Sequence, residues 1–186
     1  MPNFLNRLNR FSCVGPLCFF LVASWGCLRS ETNDVAGVNA DLKVASNRSD
    51  KLDFYTVDHY DNARKPADDL ATTINRAKAE KKHLLIQVGG DWCGWCKLMS
   101  NFIETNEPVR ENIRSNYLLM KVTYDGDQKN EAFLSRYPQI PGYPHLFVLD
   151  SDGNLLHSQG TAELEEGRGY NEKVYLEFLD KWKPVH

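Results

Sequence analysis

Short apolar runs recur along the chain and predict buried strands. His83 to Val88 and Tyr117 to Tyr124 are largely apolar over a length typical of strands. The turn from Ser151 to Asn154 contains Asp-Gly, which accepts the positive φ of a tight hairpin. Three further strands are predicted, at Leu52 to His59, His145 to Leu149 and Leu155 to Ser158.

Other segments carry apolar residues at helical spacing. The first helix is predicted to begin at Pro66, because proline is tolerated in an opening turn, and to end at Lys81-Lys82. Four more helices are predicted, at Trp92 or Cys93 to about Thr105, Pro108 to Ser115, Gln128 to Arg136, and Asn171 to Trp182. The helix after Cys93 is expected to turn an apolar side inward, formed by Leu98, Met99, Phe102 and Ile103.

This order of elements predicts a single α/β domain over residues 52–186. The early strands alternate with helices, which favours parallel pairing, and the late strands form a hairpin. A mixed central β-sheet flanked by helices on both faces is therefore the expected architecture. The length of 186 residues and the 42% hydrophobic content fit one such domain with extra sequence at one end.

The first residues have the pattern of an export signal. Met1 to Arg10 carries two arginines and no acid, and Phe11 to Trp25 is almost wholly apolar. This apolar run of about 15 to 18 residues is shorter than the roughly 20 that span a bilayer, which favours a cleaved signal peptide over residues 1–27. A retained signal anchor is the alternative. Residues 28–51 are mostly small and polar and are expected to form a flexible tether.

Cys27 is a candidate lipidation site at the end of this signal. It follows Ser24-Trp25-Gly26, with small residues three and one positions before it, which loosely matches a bacterial lipoprotein signal. Lipid at Cys27 would anchor the protein to the membrane. A soluble exported protein is the alternative. Both point to a periplasm-like location, either free or attached to the membrane and facing the periplasm.

The charge and the cysteine content of the chain argue against nucleic-acid binding and against a zinc site. The net charge of −3, from 22 basic and 25 acidic residues, provides no basic surface for nucleic acid. Three of the five cysteines lie within or at the end of the signal, which leaves Cys93 and Cys96 in the body of the chain. A zinc site needs four ligands, and neither a further cysteine nor a complementary histidine pair completes one. No metal is expected, and the pair is interpreted as redox-active.

Cys93 and Cys96 belong to the segment Asp91-Trp92-Cys93-Gly94-Trp95-Cys96-Lys97, between a predicted strand and a predicted helix. A thiol in the first turn of a helix faces free backbone N–H groups and the positive end of the helix dipole, which favour the thiolate. Thiolate is the species that attacks disulfides. Two cysteines at this spacing are therefore equipped for disulfide exchange.

This motif resembles the active site of the thioredoxin superfamily, because Gly142-Tyr143-Pro144 follows about fifty residues later and precedes another strand. The resemblance covers roughly Pro66 to Pro184, and within the superfamily the chain is similar to exported thioredoxin-like proteins with a WCGWCK site. It implies the thioredoxin fold, Cys93 as the nucleophile and Cys96 as the resolving thiol. It also implies that no organic cofactor or metal is required.

The resemblance further implies which residues contact the substrate. The bond before Pro144 is expected to be cis and to lie against the cysteines, with the backbone of Tyr143 bonding an extended substrate segment. Trp92 is expected to pack beside the nucleophile and shield it, whereas Trp95 is expected to be exposed, where it either contacts apolar substrates or has no role. Gly94 and Trp95 are expected to set the redox poise. The full substrate-binding set is Trp92, Gly94, Trp95, Tyr143 and Pro144.

Gln87 departs from the family pattern. In thioredoxins the residue six before the first cysteine is a buried acid that helps to move the proton of the resolving thiol, and glutamine cannot titrate. Lys121 corresponds to the lysine that usually accompanies this acid, and here it either bonds Gln87 or points to solvent. Proton transfer would then fall to water or to a carboxylate such as Asp91 or Glu104.

The expected function is that of an exported thiol–disulfide oxidoreductase of reductase or isomerase type. Its partners would be protein substrates with cysteines or disulfides and an upstream redox partner. The Gly-Trp pair between the cysteines leaves the reductase, isomerase and oxidase directions open. The alternative is a thioredoxin-fold binding or chaperone-like module whose redox activity is secondary.

Overall fold

The computed structural model describes residues 52–126 and 129–185. The predicted signal peptide and tether, with Cys27, lie outside the described residues. The strands are β1 (Tyr55–Val57), β2 (His83–Gly89), β3 (Tyr117–Thr123), β4 (His145–Leu149), β5 (Leu155–Gly160), β6 (Glu165–Glu166) and β7 (Gly169–Tyr170). The helices are α1 (Pro66–Glu80), α2 (Gly94–Thr105), α3 (Glu107–Asn116), α4 (Glu131–Leu134) and α5 (Glu172–Trp182), with a 3-10 helix at Thr161–Leu164.

The first five strands form one sheet in the order β1-β3-β2-β4-β5. Strands β1, β3 and β2 are parallel, whereas β4 is antiparallel to β2 and β5 is antiparallel to β4. Strand β2 is central and pairs with β3 along its whole length, from His83 opposite Tyr117 to Gly89 opposite Thr123. The predicted mixed sheet is confirmed, and the end of its central strand leads directly into the cysteine motif.

Side chains of β2 alternate between two cores, one on each face of the sheet. On one face Leu85 belongs to a cluster with residues of α2, α3 and α5, among them Ile103, Ile113 and Leu179. On the other face the β2 residues cluster with α1 and α4, through Leu84, Ile86, Val88, Leu70, Ala77 and Phe133. Helices therefore cover both faces, as predicted.

Two elements are shorter than the sequence predicts. The first strand covers Tyr55–Val57 rather than Leu52 to His59, because it is an edge strand whose register with β3 is already irregular. The helix predicted over Gln128 to Arg136 is limited to Glu131–Leu134. Asn130 adopts a φ of 50°, a left-handed conformation from which a right-handed helix cannot continue toward the N-terminus.

The segment after β5 contains structure that the sequence analysis did not predict. The 3-10 helix and the β6–β7 hairpin bring Leu164 and Tyr170 into the core. The Tyr170 ring meets the ring of Trp95 edge-on at 5.7 Å, and its hydroxyl lies 3.4 Å from the Trp95 carbonyl oxygen. This hairpin therefore packs over the first turn of α2.

Leu98 does not lie on the inner side of α2, contrary to the prediction. It is 43% exposed, whereas Met99 and Ile103 are fully buried. The buried stripe follows Cys96, Met99 and Ile103 at the helical spacing of three and four residues, and Leu98 falls outside it.

Three strand histidines make structural contacts. The His83 Nδ1 lies 2.8 Å from the Trp182 carbonyl oxygen, and the His157 ring stacks on the Trp182 ring at 4.5 Å. His145 begins β4 and is buried, with Nε2 2.8 Å from the Ser158 hydroxyl and no partner for Nδ1 among the described residues. Burial, reinforced by nearby His157, lowers the pKa of His145 to about 4.

Truncating the buried face of α2 should destabilise the protein far more than truncating Leu98. Ile103→Ala removes fully buried methyl groups and should lower the free energy of unfolding by about 2–5 kcal/mol. Leu98→Ala should cost less than about 1 kcal/mol because that side chain already meets solvent. Chemical denaturation of the oxidised protein measures both, and equal losses would contradict the orientation of α2.

Acid should weaken the fold through His145 at mildly acidic pH. Because the pKa of His145 falls from 6.5 in the unfolded chain to about 4 in the fold, the unfolded state takes up its proton first. The stability contributed by neutral His145 is complete above pH 6.5 and is lost as the pH falls toward 4. Unfolding free energies measured between pH 7 and 5 should decline, and His145→Gln should flatten this decline. A decline as steep in His145→Gln as in the parent protein would show that His145 is not its source.

Candidate functional site

The two cysteines form a disulfide at the beginning of α2, with their Cα atoms 5.2 Å apart. Cys93 is the N-cap of the helix, and its Sγ accepts a hydrogen bond from the backbone N–H of Cys96 at 3.1 Å. Cys93 is 5% exposed and Cys96 is fully buried. Of the pair, Cys93 is the sulfur that an incoming disulfide can reach, and the N–H groups of the helix end stabilise it as an anion.

The lack of a side chain at Gly89 allows the N-terminal end of α2 to pack closely against the sheet. A Cβ placed on Gly89, the last residue of β2, would lie 2.5 Å from Cys96 Sγ and 2.8 Å from the Tyr60 hydroxyl. Gly90 is equally constrained, because a Cβ there would collide with the Trp92 indole. Gly94, between the cysteines, is exposed, and a Cβ placed on it would have no neighbour within 4 Å. The surface at Gly94 is therefore free of packing contacts and can accept a partner.

Of the two tryptophans of the motif, Trp92 is the more exposed and Trp95 the more buried. Trp92 is 54% exposed, and its indole N–H donates to the Tyr124 carbonyl oxygen at 2.9 Å. Trp95, which was expected to be exposed, is partly buried and packs against Tyr170 and the main core. The reason is the β6–β7 hairpin, which covers the position of Trp95 and was not foreseen from the sequence.

The Tyr143–Pro144 peptide bond is cis, as the resemblance implied. The Tyr143 ring stacks on Tyr124 at 4.8 Å and meets Trp92 edge-on at 5.6 Å. The carbonyl oxygen of Pro144, which is buried, accepts a hydrogen bond from the Thr161 hydroxyl at 2.6 Å. Trp92 adjoins Cys93, so these contacts bring the proline loop beside the cysteine motif.

Gln87 and Lys121 take up neither of the two expected arrangements. Gln87 is fully buried in β2, and its Nε2 donates to the Tyr60 hydroxyl at 3.0 Å. Lys121 is opposite Gln87 in β3, is 9% exposed, and donates from Nζ to the Asp58 carbonyl oxygen at 2.6 Å. Its ammonium also lies 5.1 Å from the centre of the Tyr55 ring. Burial lowers the pKa of Lys121.

A cavity of about 300 Å³ reaches Cys96 from the side of Lys121. Both carboxylates considered for proton transfer, Asp91 and Glu104, line this cavity together with Tyr60. Glu104 accepts a long hydrogen bond of 3.4 Å from the Tyr55 hydroxyl. Tyr60 was not identified from the sequence, because it lies in an irregular segment after β1 and no motif marks it.

Two further observations concern metals and membranes. Within residues 52–126 and 129–185, no three or more histidine, cysteine or acidic side chains gather in a group that could hold a metal ion. Over the same part of the chain, no helix combines the length and the apolar character needed to cross a bilayer.

Comparison with known proteins gives similarities of sequence and of structure. A family model described as Thioredoxin-like matches residues 65–151. The thiol:disulfide interchange protein DsbD of Pseudomonas fluorescens is 31% identical over 127 residues, which are 67% of this chain and 20% of that protein. DsbD of a Pseudomonas species is 30% identical over 140 residues, which are 74% of this chain and 22% of that protein. The chain therefore spans about a fifth of the length of these curated relatives.

A solved structure described as a disulphide isomerase from Xylella fastidiosa shares the fold. The two superpose with a TM-score of 0.57 at 20% identity, over 66% of this chain and 94% of the other. The sheet order, the disulfide at the start of α2 and the cis bond before Pro144 agree with this likeness. Together with the sequence similarities, they show that the chain has the thioredoxin fold, with a Thioredoxin-like domain at residues 65–151 that carries the Cys93–Cys96 pair.

Proposed function

We propose that this protein is an exported thiol–disulfide oxidoreductase that exchanges disulfides with protein substrates. The observation that carries the proposal is the Cys93–Cys96 disulfide at the start of α2, with Cys93 5% exposed at the N-cap and Cys96 fully buried one turn further along the helix. In such an asymmetric pair, the more exposed sulfur can form a mixed disulfide with a substrate. The buried sulfur can then attack that mixed disulfide and release the substrate.

The exchange proceeds in two balanced steps. In the reducing direction, the Cys93 thiolate attacks a substrate disulfide, a bond forms between the two sulfurs, and one substrate sulfur leaves as a thiolate. Cys96 then loses its proton and attacks Cys93 Sγ, which releases the second substrate sulfur. The substrate has gained two electrons and the enzyme has lost them to form its disulfide. A dithiol protein upstream restores the reduced pair, and the oxidising direction runs the same steps in reverse.

The surface beside Cys93 suits an extended polypeptide. Trp92 presents a half-exposed indole that is held by Tyr124 and Tyr143, so its orientation is set before a substrate arrives. Gly94 next to it is open. In this proposal the backbone of Tyr143 bonds the substrate chain beside its cysteine, the buried Pro144 holds that backbone in place, and Trp92 contacts the apolar side chains of the substrate. Trp95 contributes through packing, because it is partly buried.

The proposed location is the periplasm, either free or attached to the membrane by lipid at Cys27. The basic and apolar pattern of residues 1–27 supports export, and the small residues before Cys27 support lipidation. The name of the Pseudomonas relatives, thiol:disulfide interchange protein, supports exchange with a partner that carries thiols or a disulfide.

Cys96→Ser should trap substrates as mixed disulfides on Cys93, because the resolving sulfur is gone while the attacking sulfur remains. Covalent complexes should appear on non-reducing gels of cells that express the full chain and should disappear on reduction. The matched control is Cys93→Ser, which keeps a cysteine at the buried position and should trap almost nothing. If the Cys96→Ser protein retains partners without any disulfide to Cys93, the protein is a binding module and the proposal is wrong.

The reduction potential of the Cys93–Cys96 couple should lie between the values of known reductants and oxidants. Thioredoxin stands near about −270 mV and the strong oxidant of the periplasm near about −120 mV. We expect an intermediate value, measured by equilibration with glutathione buffers and mass analysis of the peptide that contains both cysteines. A value at the oxidising end would replace the reductase or isomerase assignment with that of an oxidase.

A further inference from the structure

The resolving step requires the fully buried Cys96 to become a thiolate, and Gln87 offers no acid to assist it. An isolated sulfur anion in an apolar interior is costly unless a donor meets it. The groups that surround Cys96 therefore decide how readily it ionises. Tyr60 is a side chain outside the motif that approaches the same space beside Gly89 as this sulfur.

The absence of a side chain at Gly89 leaves the space in which Tyr60 and Cys96 approach each other. The Cys96 Sγ lies 2.5 Å, and the Tyr60 oxygen 2.8 Å, from the point where a Gly89 Cβ would stand. The sulfur and the oxygen are therefore no further apart than those two distances added together. Cys96 and Tyr60 also line the same cavity of about 300 Å³.

The Tyr60 hydroxyl has a proton available for this sulfur. Its oxygen accepts from Gln87 Nε2 at 3.0 Å, which uses a lone pair and leaves its own O–H free to donate. Burial and the neighbouring Asp91 raise the pKa of Tyr60, so the hydroxyl stays protonated at neutral pH. Gln87 thus orients the hydroxyl as a donor while remaining uncharged itself.

We propose that the Tyr60 hydroxyl donates a hydrogen bond to the Cys96 thiolate and so prepares the resolving cysteine for attack, in the place of a titrating acid at Gln87. This inference rests on the proposed dithiol exchange. The proton of Cys96 leaves through the cavity to water, Tyr60 keeps its own proton, and the stabilised Cys96 sulfur then displaces the substrate sulfur from Cys93. No oxidant beyond the bound substrate disulfide is needed.

Charged and titratable side chains around the cavity also act on the Cys96 sulfur, and a substitution of Tyr60 leaves these residues unchanged. They come from the segment after β1, from the loop before α2, from α2 and from β3, and comprise Asp58, His59, Asp91, Lys97, Glu104 and Lys121. The hydroxyl of Tyr170, from β7, lies near enough to influence Tyr60. Tyr60→Phe removes one oxygen and leaves every one of these groups in place.

The test is a pH titration of Cys96 in the full-length chain. Cys13, Cys18, Cys27 and Cys93 are changed to serine, so that the thiolate absorbance at 240 nm reports Cys96 alone. Loss of a hydrogen bond to a charged sulfur should move the titration midpoint of the Tyr60→Phe protein to higher pH by about one unit. With Cys93 restored, release of a chromophoric thiol from its mixed disulfide should slow about three- to fourfold below that midpoint, because the tenfold lower thiolate fraction is partly offset by the greater nucleophilicity of a more basic thiolate.

Two controls separate a direct bond from a structural effect. Tyr117→Phe removes another buried hydroxyl, bonded to the Leu179 carbonyl oxygen at the far end of the sheet, and should leave the midpoint unchanged. Gln87→Met removes the amide but keeps the Tyr60 hydroxyl, and its midpoint should stay closer to the parent than that of Tyr60→Phe. An unchanged midpoint in Tyr60→Phe, or an equal shift in Gln87→Met, overturns the proposal.

If Tyr60→Phe folds poorly, the hydrogen bond can be tested by varying how strongly the hydroxyl at position 60 donates. Fluorotyrosine introduced at position 60 keeps the ring and the hydroxyl but makes the O–H a stronger donor, so the midpoint should fall below that of the parent. A midpoint that does not respond to donor strength contradicts a hydrogen bond to Cys96. These titrations need no substrate, so they succeed or fail independently of the trapping experiment with Cys96→Ser.

Discussion

The site depends on how closely the first turn of α2 approaches the end of the central strand. Cys96 is fully buried against Gly89, with its sulfur in the space that any other residue would fill with a Cβ. This contact fixes the start of the helix relative to the sheet. Cys93, one turn earlier, then falls at the N-cap, where backbone N–H groups stabilise its sulfur and a small part of the residue stays exposed.

Because the start of α2 is fixed in this way, the two tryptophans of the motif point in opposite directions and have different contacts. Trp92 is directed outward and is held by the Tyr124 carbonyl and the Tyr143 ring, so it joins the proline loop to the cysteines. Trp95 is directed inward and packs under Tyr170, which ties the start of α2 to a hairpin far along the chain. One aromatic thus forms the outer surface beside Cys93 and the other anchors the helix that carries it.

The interior next to Cys96 contains a neutral hydrogen-bonded pair and a buried lysine, and no carboxylate at the position of Gln87. Gln87 and Tyr60 form a neutral pair joined by a hydrogen bond, where a thioredoxin has an acid. Lys121 is held by the Asp58 carbonyl oxygen and by the face of the Tyr55 ring. The carboxylates of Asp91 and Glu104 stand at the wall of the cavity instead of inside the sheet. Gln87 and Tyr60 therefore act on the resolving cysteine through hydrogen bonding and burial, without a charge of their own.

The sequence alone determined the features that depend on neighbours close in the chain. Strand and helix periods predicted the central strands and most helices, and a cysteine at a strand-to-helix junction had to meet a helix end. The cis bond before Pro144 followed from the family pattern, not from periodicity. The left-handed Asn130 shortened α4 in a way that apolar spacing does not reveal.

Only the tertiary structure decided which distant side chains meet the motif. The β6–β7 hairpin buries Trp95. Strand β1 is short because it lies at the edge of the sheet, and the segment that follows it places Tyr60 and Asp58 at the cavity. Leu98 turned outward because the buried stripe of α2 was set by its fit to the sheet and the neighbouring helices. Local patterns encode what each segment forms, whereas exposure and polar partners depend on how separate segments pack, and that is a property of the whole fold.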